Sequence, residues 1–510
     1  MKTKRILMLL SLGALLASCG EAPTSSGAGS SAKPEESSAA GGSSVAPGPT
    51  SSVVPTEAID VSFWSTGSQA MTTQLQALAD KFEDAILENT GVTVNMEVTV
   101  EGSYDDIADK INKGLATGTI PTMAVAYPDT VANILDQEPA GKQYLYDIAP
   151  YMDDPEIGFT KQSYLGDTPD ATKDDIVEAF YDEGTHYARE GLFSYPFMKS
   201  SEVMFYNIDD VERAYRYCKP EIVGKDNIRK DLLSMTWTEF EGLLTKVMEN
   251  KDRILSTLKH AAWYDSDSNW FITQMYQRGI GYSSIQDNKG HIDFETGEAR
   301  TKTEEMLTSF KALHDDQRIT TKGIENTYGS TAFSKGEVLF EIGSSGGTGY
   351  NMPEGLLPED IGIVPVPAFN KNKLYVSQGP TITFLKNPTL SDAANDLQMK
   401  YAWQFAKFLT NPENNVDLCT LGSEGYIPVR YSAFDSDAYM EFLAEESIYS
   451  ASAKVLINEI QGSYYNAPVF PGSAQLRDGV GNVIPYVLKG EKTPAKALTD
   501  AIDQAKTYMH

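Results

Sequence analysis

Alternating apolar and polar residues first appear over residues 59–64 (IDVSFW), a pattern that predicts a half-buried β-strand. Apolar residues at helical spacing follow over residues 75–87, and a second alternating run covers residues 92–100. A helical pattern over residues 107–116 and a short apolar run over residues 122–126 complete the series. Strand, helix, strand, helix and strand in this order predict a doubly wound α/β unit, in which ligands bind beyond the carboxyl ends of the strands.

Aromatic residues stand where these predicted strands end. Trp64 closes the first strand, Tyr104 follows the second after a short turn, and Tyr127 follows the third. Each ring could equally pack in the core, where aromatic residues are common. Their shared position at strand ends favours a ligand site, in which such rings could stack on the apolar faces of a sugar.

A later apolar run, residues 338–342, predicts a buried strand that leads into a glycine-rich stretch. Four of the seven residues 343–349 (GSSGGTG) are glycines, which lets the backbone approach a bound molecule closely. One interpretation is a loop whose N–H groups and hydroxyls bind an oxyanion or sugar hydroxyls. A second is the nucleophile elbow G-x-S-x-G, with Ser345 as the nucleophile of a secreted α/β hydrolase. The third is a flexible surface turn.

The start of the chain has the pattern of a signal peptide over residues 1–18. A basic beginning precedes an apolar run, residues 6–16, that is too short to span a membrane permanently. The sequence Leu16-Ala17-Ser18-Cys19 resembles the bacterial lipobox, which implies cleavage before Cys19 and a diacylglyceryl group on its sulfur. Residues 19–57 are almost wholly small or polar and predict a disordered tether. We therefore expect a protein anchored by lipid to the extracytoplasmic face of the cell membrane.

The chain is strongly acidic, with 71 Asp and Glu against 42 Lys and Arg and a formal net charge of −29. This charge argues against nucleic acid or an anionic lipid surface as a partner. Cys218 and Cys419 indicate no disulfide framework, and the sequence leaves open whether they pair. The five histidines form no zinc-binding pattern. We therefore expect neither a metal nor a cofactor.

The hydrolase interpretation conflicts with the order of residues along the chain. An α/β hydrolase has its catalytic histidine after the serine and the acid, and the only histidine after Ser345 is His510. Chain ends usually fray, so His510 is a poor candidate for a triad. A carboxylate pair for glycoside hydrolysis can always be imagined among 71 acidic residues, which decides nothing. The sequence therefore favours binding over catalysis.

Several motifs resemble the family 1 extracellular solute-binding proteins of ABC importers. They occur in the family's order between Ile59 and Met509: FWSTGS, EGSYDDIADKINKGLATGTIPTMAVAYPD, AFSKGEVLFEIGSS, DIGIVPVP, AWQFAKFLTNPEN, GSEGYIPVR and GEKTPAKALTDAIDQA. The resemblance implies an α/β, two-lobed periplasmic-binding-protein-like fold of type II. Its two hinge-linked, doubly wound lobes would close on a ligand by hinge bending.

The resemblance also implies how the chain is divided between the two lobes. The expected crossovers lie near residues 197–201, 376–381 and 427–430. Each lobe is then built from two stretches of chain, 58–197 with 382–426 for the first lobe and 202–376 with 430–510 for the second.

A sugar or an oligosaccharide is the ligand class that the resemblance implies, held by aromatic rings and by acidic side chains. The residues of these types that suit this ligand class are Trp64, Tyr104, Asp105, Tyr127, Asp129, Trp263, Asp267, Trp270 and Tyr426. Core packing is the alternative for each aromatic member of this set.

A narrower resemblance, to the glycerol-3-phosphate-binding branch of the family, implies a different ligand. The residues that carry it are Ser344, Ser345, Gly379, Tyr426 and Arg477. Both serines and Arg477 would hold a phosphate, with Trp270 against the glycerol carbons. Asp267 departs from the pattern, because that branch has a second tryptophan near this position. Glycerol-3-phosphate or a glycerophosphodiester is therefore the alternative ligand.

The implied mechanism requires ligand contacts from both lobes, because a ligand without preference for the closed form cannot shift the equilibrium. The closed form would then dock on the transmembrane subunits of an ABC permease. We expect the binding protein to be a monomer. A surface adhesin that uses the same fold is an alternative of another class.

Overall fold

The computed structural model describes residues 57–167, 171–369, 372–422 and 425–509. The predicted signal peptide, the predicted lipid attachment site Cys19, nearly all of the predicted tether and His510 lie outside the described residues. Among the described helices, none is long and apolar enough to cross a membrane.

Two five-stranded sheets organise the described chain. The strands are β1 (Ile59–Ser65), β2 (Val94–Val100), β3 (Met123–Ala126), β4 (Tyr195–Pro196), β5 (Glu202–Asn207), β6 (His260–Tyr264), β7 (Ser283–Gln286), β8 (Lys289–Ile292), β9 (Ile319–Thr321), β10 (Val338–Ser344), β11 (Ile361–Pro365), β12 (Tyr375–Val376), β13 (Thr381–Phe384) and β14 (Tyr464–Tyr465). The first sheet has the order β2-β1-β3-β13-β4, and the second has the order β11-β5-β10-β6-β9. Two further pairs, β12-β14 and β7-β8, lie outside these sheets.

Helices connect and cover the strands. They are α1 (Gln69–Thr90), α2 (Tyr104–Gly114), α3 (Pro128–Asp136), α4 (Ala149–Met152), α5 (Glu178–Glu183), α6 (Ile208–Cys218), α7 (Lys225–Ser234), α8 (Trp237–Glu249), α9 (Lys251–Ile254), α10 (Asp267–Gln277), α11 (Gly297–Asp315), α12 (Lys322–Glu325), α13 (Gly329–Ser334), α14 (Asp392–Leu409), α15 (Pro412–Asp417), α16 (Tyr431–Phe434), α17 (Asp437–Ala444), α18 (Ile448–Val455), α19 (Ser473–Leu488) and α20 (Pro494–Lys506).

The first sheet confirms the predicted series of strand, helix, strand, helix and strand. β1 lies between β2 and β3 and is parallel to both, and its alternate residues Ile59, Val61 and Phe63 are buried. Helix α1 is longer than its apolar pattern, because the Ser68 side chain accepts the Met71 N–H and so caps the helix six residues before the predicted start. The α/β class expected from the sequence is therefore observed.

The second sheet contains the strand that was predicted before the glycine-rich stretch. Strand β10 runs antiparallel to β5 and parallel to β6, which places it at the centre of the sheet. Its residues from Val338 to Gly343 are buried, as expected for a strand with neighbours on both sides. The polar residue in this run, Glu341, is fully buried.

Three segments that the sequence marks as crossovers hydrogen-bond to one another between the sheets. Lys199 exchanges two backbone hydrogen bonds with Ile427, and Ser200 exchanges two with Gln378. Gly379 has a φ of 105°, and a Cβ at this position would lie 2.4 Å from the carbonyl oxygen of Met198. The close approach of two backbones therefore requires glycine here.

The hydrophobic core has two clusters. One begins in the first sheet and continues to one face of the second sheet, where it includes Val203 and Phe205. The other fills the opposite face of the second sheet, beneath α8, α10, α11 and α19. Cys419 belongs to the first cluster and Cys218 to the second, and both are free thiols. The two cysteines therefore do not form a disulfide bond with each other.

Candidate functional site

A cleft opens where the strand ends of the two sheets meet. Its larger part, about 1370 Å³, is lined by the residues that follow β6, β9 and β10 and by the first residue of β5. Its smaller part, about 330 Å³, is lined by residues of both sheets and of the crossovers. The two parts share Ser344, Gln378 and Arg477, so they form one continuous site.

Glu202, at the start of β5, is the centre of a buried hydrogen-bond network in this cleft. The Tyr264 hydroxyl donates to one of its carboxyl oxygens, and the Asn269 amide donates to the other over 2.9 Å. Arg477 donates in turn to the side-chain oxygen of Asn269. Burial raises the pKa of Glu202 to about 7, although the Tyr264 and Asn269 hydrogen bonds and the Arg477 charge oppose that rise.

The raised pKa of Glu202 makes stability depend on pH. The folded protein binds this proton more tightly than the unfolded chain, in which the pKa of glutamate is near 4.5. The stabilisation is therefore fully present below pH 4.5 and is lost as the pH rises through 7.

We expect Glu202→Gln to flatten the pH dependence of stability, since glutamine has no proton to lose. Each unit of pKa difference corresponds to about 1.4 kcal/mol in the free energy of unfolding. Urea unfolding at pH 5 and pH 8 measures the effect, with Glu88→Gln on the exposed end of α1 as the control. Parallel pH profiles for Glu202→Gln and the wild type would contradict the assignment.

Two of three neighbouring tyrosines line the cleft on the side of the first sheet. Tyr127 and Tyr426 line the smaller part of the cleft, and the Tyr127 ring lies 4.4 Å from that of Tyr104, centroid to centroid. The predicted ligand residue Tyr104 lines neither part of the cleft, and its hydroxyl forms a hydrogen bond with that of Tyr426. Burial raises the pKa of all three phenols, so they remain neutral hydrogen-bonding groups.

Two acidic residues predicted from the sequence also line the cleft. Asp129 follows β3 in the smaller part, where burial raises its pKa and the Arg477 charge opposes the rise. Asp267 begins α10 in the larger part, and burial raises its pKa to about 6. One oxygen of Asp267 accepts the Gly323 N–H over 3.0 Å, and the other has no partner.

The glycine-rich stretch is not a surface turn, because Ser345–Asn351 form a 3-10 helix. Ser344 lines both parts of the cleft, whereas Ser345 is fully buried and accepts the Ser201 N–H with its hydroxyl. Ser345 is therefore neither an accessible nucleophile nor a ligand contact. No described histidine lines the cleft, which also leaves the hydrolase interpretation without a base.

Two of the four glycines of this stretch allow it to pack against tyrosine side chains of the protein itself. A Cβ on Gly346 would lie 3.2 Å from the Tyr426 hydroxyl, and one on Gly349 would lie 2.4 Å from that of Tyr449. Gly347, in contrast, lines the cleft and has open space before it. The expectation that the glycines serve ligand approach thus fits Gly343 and Gly347, which line the cleft, and fails for Gly346 and Gly349.

The predicted tryptophan platforms do not line the cleft. The Trp270 ring is fully buried and stacks on Phe310 with 3.9 Å between centroids. Trp263 is buried against the backbone of Gly329, and Trp64 packs against the first core cluster. Packing in the core was the alternative to a ligand contact for each of these large aromatic rings. The three tryptophans follow this alternative.

Of the remaining candidates, Asp105 is exposed outside the cleft, whereas Gly379 and Arg477 line it. Among the described residues, no group of His, Cys, Asp and Glu side chains is arranged to hold a metal ion.

Several cleft residues were missed by the sequence analysis. They are Glu183, Glu202, Tyr282, Tyr328, Glu341, Tyr350, Asn351 and Gln378. Glu341 could have been found from the sequence. A carboxylate inside an apolar run such as VLFEI is rare unless it has a function or a partner. The others lie in segments without a distinctive local pattern.

Two α/β sheets with a cleft between their strand ends define the class of two-lobed solute-binding proteins. The chain belongs to the family described as bacterial extracellular solute-binding protein, which it matches over residues 77–442. The family membership confirms the predicted resemblance, and it identifies a solute-binding protein and not an enzyme. No curated protein matches the chain by sequence.

Solved structures of solute-binding proteins share the fold. The GacH receptor of Streptomyces glaucescens GLA.O, determined unliganded and with acarbose, has 17% sequence identity and a TM-score of 0.60 over 88% of this chain and 98% of its own. The cyclic alpha-maltosyl-1,6-maltose binding protein from Arthrobacter globiformis has 17% identity and a TM-score of 0.62 over 89% and 99%. UgpB from Mycobacterium tuberculosis, in complex with glycerophosphocholine, has 15% identity and a TM-score of 0.59 over 89% and 98%.

Proposed function

We propose that this protein is the lipid-anchored, extracytoplasmic binding component of an ABC importer. It captures a sugar or an oligosaccharide between two closing lobes and delivers it to the permease. The lipobox-like sequence at Cys19 and the extracellular character of the family support the location. The sugar-binding proteins among the structural neighbours support the ligand class.

The polar lining of the cleft is the observation that carries the sugar assignment. In the larger part, three buried side-chain oxygens of the described residues accept no hydrogen bond: Asp267 Oδ1, Asn351 Oδ1 and Gln378 Oε1. A buried acceptor without a donor is unfavourable by about 1–3 kcal/mol, so a ligand rich in O–H groups gains by entering. Sugar hydroxyls supply such donors.

The charges of the cleft support a ligand that is not an anion. Two basic side chains line it, Lys322 and Arg477, and Arg477 already donates to Asn269. Seven acidic side chains line the same described surface: Asp129, Glu183, Glu202, Asp265, Asp267, Glu341 and Asp478. A phosphate would meet repulsion from each member of this set that is ionised.

A glycerophosphodiester remains the second candidate, because one corner of the cleft could hold a phosphate. Arg477 and the Ser344 hydroxyl both lie at the junction of its two parts. A guanidinium with a neighbouring hydroxyl is suitable chemistry for an oxyanion. The neighbour with bound glycerophosphocholine supports this alternative.

Closure would use residues from both walls of the cleft. The lobes that we propose consist of residues 58–197 with 382–426 and of residues 202–376 with 430–510, joined by the three crossovers. Tyr127 then belongs to the first lobe and Tyr350 to the second, and both rings are exposed in the open cleft. A ligand that touches both favours the closed form, which the permease would recognise.

The test is thermal unfolding of the purified full chain with maltose, maltotriose, glycerol-3-phosphate and glycerophosphocholine. A ligand at a hundredfold excess over its Kd stabilises the protein by about 2.7 kcal/mol. We expect stabilisation by a sugar, and we expect Tyr127→Ala and Tyr350→Ala each to weaken it. Tyr217→Ala is the matched control, because this tyrosine is exposed on α6 away from the cleft.

The other outcomes assign the alternatives. Stabilisation by the two phosphorylated ligands alone, lost in Arg477→Ala, would replace the sugar with a glycerophosphodiester. Stabilisation by a sugar that is unchanged in both cleft variants would place the sugar on another surface, as in an adhesin. No stabilisation by any of the four ligands would contradict both ligand classes.

A further inference from the structure

Tyr282 lies directly before β7 and carries a hydroxyl that the fold does not satisfy. The residue is only 4% exposed, and its ring stacks on Phe294 with 5.9 Å between centroids and packs against Phe271. Its hydroxyl has no hydrogen-bond partner among the described residues. A buried hydroxyl without a partner is unfavourable, because it has lost its hydrogen bonds with water. Its position beside a cleft therefore indicates a ligand group that completes it.

The hydroxyl end of Tyr282 reaches the smaller part of the cleft. Tyr282 lines this part together with Arg477 and Asp129, and the charges of these two residues act on its phenol. Burial raises the pKa of Tyr282, so the hydroxyl keeps its proton. Three more buried side-chain oxygens of this part are also without a partner in the described chain: Ser377 Oγ, Gln378 Oε1 and Asn466 Oδ1. Two hydroxyls that donate or accept, with two amide oxygens that accept, match the hydroxyl groups of a sugar.

The smaller part of the cleft is closed at its base and along one side. At the base, Ser200 and Gln378 of two crossovers exchange two backbone hydrogen bonds. Residues 466–469 form the side, and the Val469 N–H donates over 2.9 Å to the carbonyl oxygen of His186, in the segment that precedes β4. The boundary with the larger part is open, because the two parts form one continuous site. A chain of sugar rings that enters from the larger part therefore ends here.

The size and the lining of the smaller part suit one sugar ring. Its volume of about 330 Å³ is at the low end of the range for small-molecule sites, about 300–1,000 Å³. Ile272, Val376 and Tyr465 give it an apolar wall, which can cover the apolar face of a ring while the oxygens without a partner bind its hydroxyls. The larger part, with about 1370 Å³, exceeds this range and has room for further rings.

We propose that the smaller part of the cleft binds the terminal ring of a linear oligosaccharide, and that the Tyr282 hydroxyl is the contact that selects this ring. This inference rests on the proposed function and narrows its ligand class. The other rings of the oligosaccharide lie in the larger part, beside the exposed rings of Tyr328 and Tyr350. A cyclic oligosaccharide has no terminal ring, so it cannot enter the smaller part and leaves the Tyr282 hydroxyl without a partner.

The experiment is isothermal titration of the full chain with maltohexaose and with α-cyclodextrin. Both sugars contain the same number of glucose units in the same linkage, and only the linear one has a terminal ring. We expect maltohexaose to bind at least about tenfold more tightly, because it alone reaches the oxygens of the smaller part. Equal affinities, or tighter binding of α-cyclodextrin, would overturn the terminal subsite and leave the sugar-binding function intact. No binding of either sugar would overturn both.

Tyr282→Phe removes only the hydroxyl and keeps the buried ring, so it tests the selecting contact. We expect it to weaken maltohexaose binding by about threefold to tenfold, and to unfold at no lower temperature than the wild type when no ligand is present, since the lost hydroxyl had no partner.

The matched control is Tyr439→Phe on α17. The Tyr439 hydroxyl is also buried and without a partner among the described residues, but Tyr439 lines neither part of the cleft. This variant should bind maltohexaose like the wild type. Equal affinities of Tyr282→Phe and the wild type for maltohexaose would overturn the role of the Tyr282 hydroxyl. The comparison of the two sugars uses the wild type, so it stands even if Tyr282→Phe does not fold.

Discussion

Replacing Lys407 by methionine should lower the free energy of unfolding by about 3–5 kcal/mol, the range for breaking a buried ion pair from one side. Lys407 lies on α14 and its side chain is fully buried. Its ammonium donates to Asp167 over 2.7 Å and to the Gln162 side chain over 3.0 Å. It also donates to the carbonyl oxygens of Ile157 and Gly158. Methionine would remove one donor from each of these four acceptors and would leave the Asp167 carboxylate buried without a cation.

Urea unfolding measures this effect, and the same helix supplies a control. Lys400 faces Glu156 at 3.8 Å with both side chains exposed, so Lys400→Met should change stability by less than about 1 kcal/mol. The double variant Lys407→Met with Asp167→Leu should recover part of the loss, because it removes the uncompensated carboxylate as well. Equal effects at Lys407 and Lys400 would show that the ion pair of Lys407 and Asp167 does not hold α14 to residues 157–167.

Trp270→Ala should also destabilise the protein by about 3–5 kcal/mol, since it removes a large buried ring and leaves a cavity. The Trp270 ring stacks on Phe310 and lies 5.7 Å from the Tyr264 ring, centroid to centroid. Tyr264 donates a hydrogen bond to Glu202, so the cavity would also loosen the network in the cleft. We expect weaker ligand binding as a consequence of lost stability, without loss of a direct contact.

The comparison with an exposed aromatic residue separates these roles. Tyr350 is 78% exposed and lines the cleft. Tyr350→Ala should therefore change the free energy of unfolding by no more than about 0.5 kcal/mol and weaken ligand binding. Urea unfolding and ligand titration of both variants are the measurements. A stable Trp270→Ala protein that has lost its ligand would restore the sequence-based assignment of this tryptophan to the site.

Local patterns in the sequence predicted the first sheet well. The alternation in residues 59–64 and 92–100 and the helical spacing between them correspond to β1, β2 and α1. β1 pairs with β2, which follows it closely in the chain. Each of these elements also has its own periodic pattern of apolar residues, which the local sequence is enough to show. The motifs also led to the family to which the chain belongs.

The second sheet could not be assembled in the same way. Strands β5, β6 and β10 are neighbours in space but are separated by more than fifty residues in the chain. Their pairing depends on packing against both core clusters, which no local pattern encodes. The convergence of Glu202, Asp265 and Glu341 at one edge of this sheet was therefore invisible in the sequence.

By itself, the sequence determined the α/β class, the family and several cleft residues, among them Tyr127, Asp129, Ser344, Tyr426 and Arg477. Tyr127 and Asp129 follow a predicted strand, and any parallel sheet brings such residues to one edge, whereas Ser344, Tyr426 and Arg477 came from the family resemblance. Only the tertiary structure decided which large rings face the cleft and which fill the core. Trp270 and Tyr127 both lie near strand ends. Trp270 is buried because it packs against Phe310 of α11, whereas Tyr127 remains exposed in the cleft.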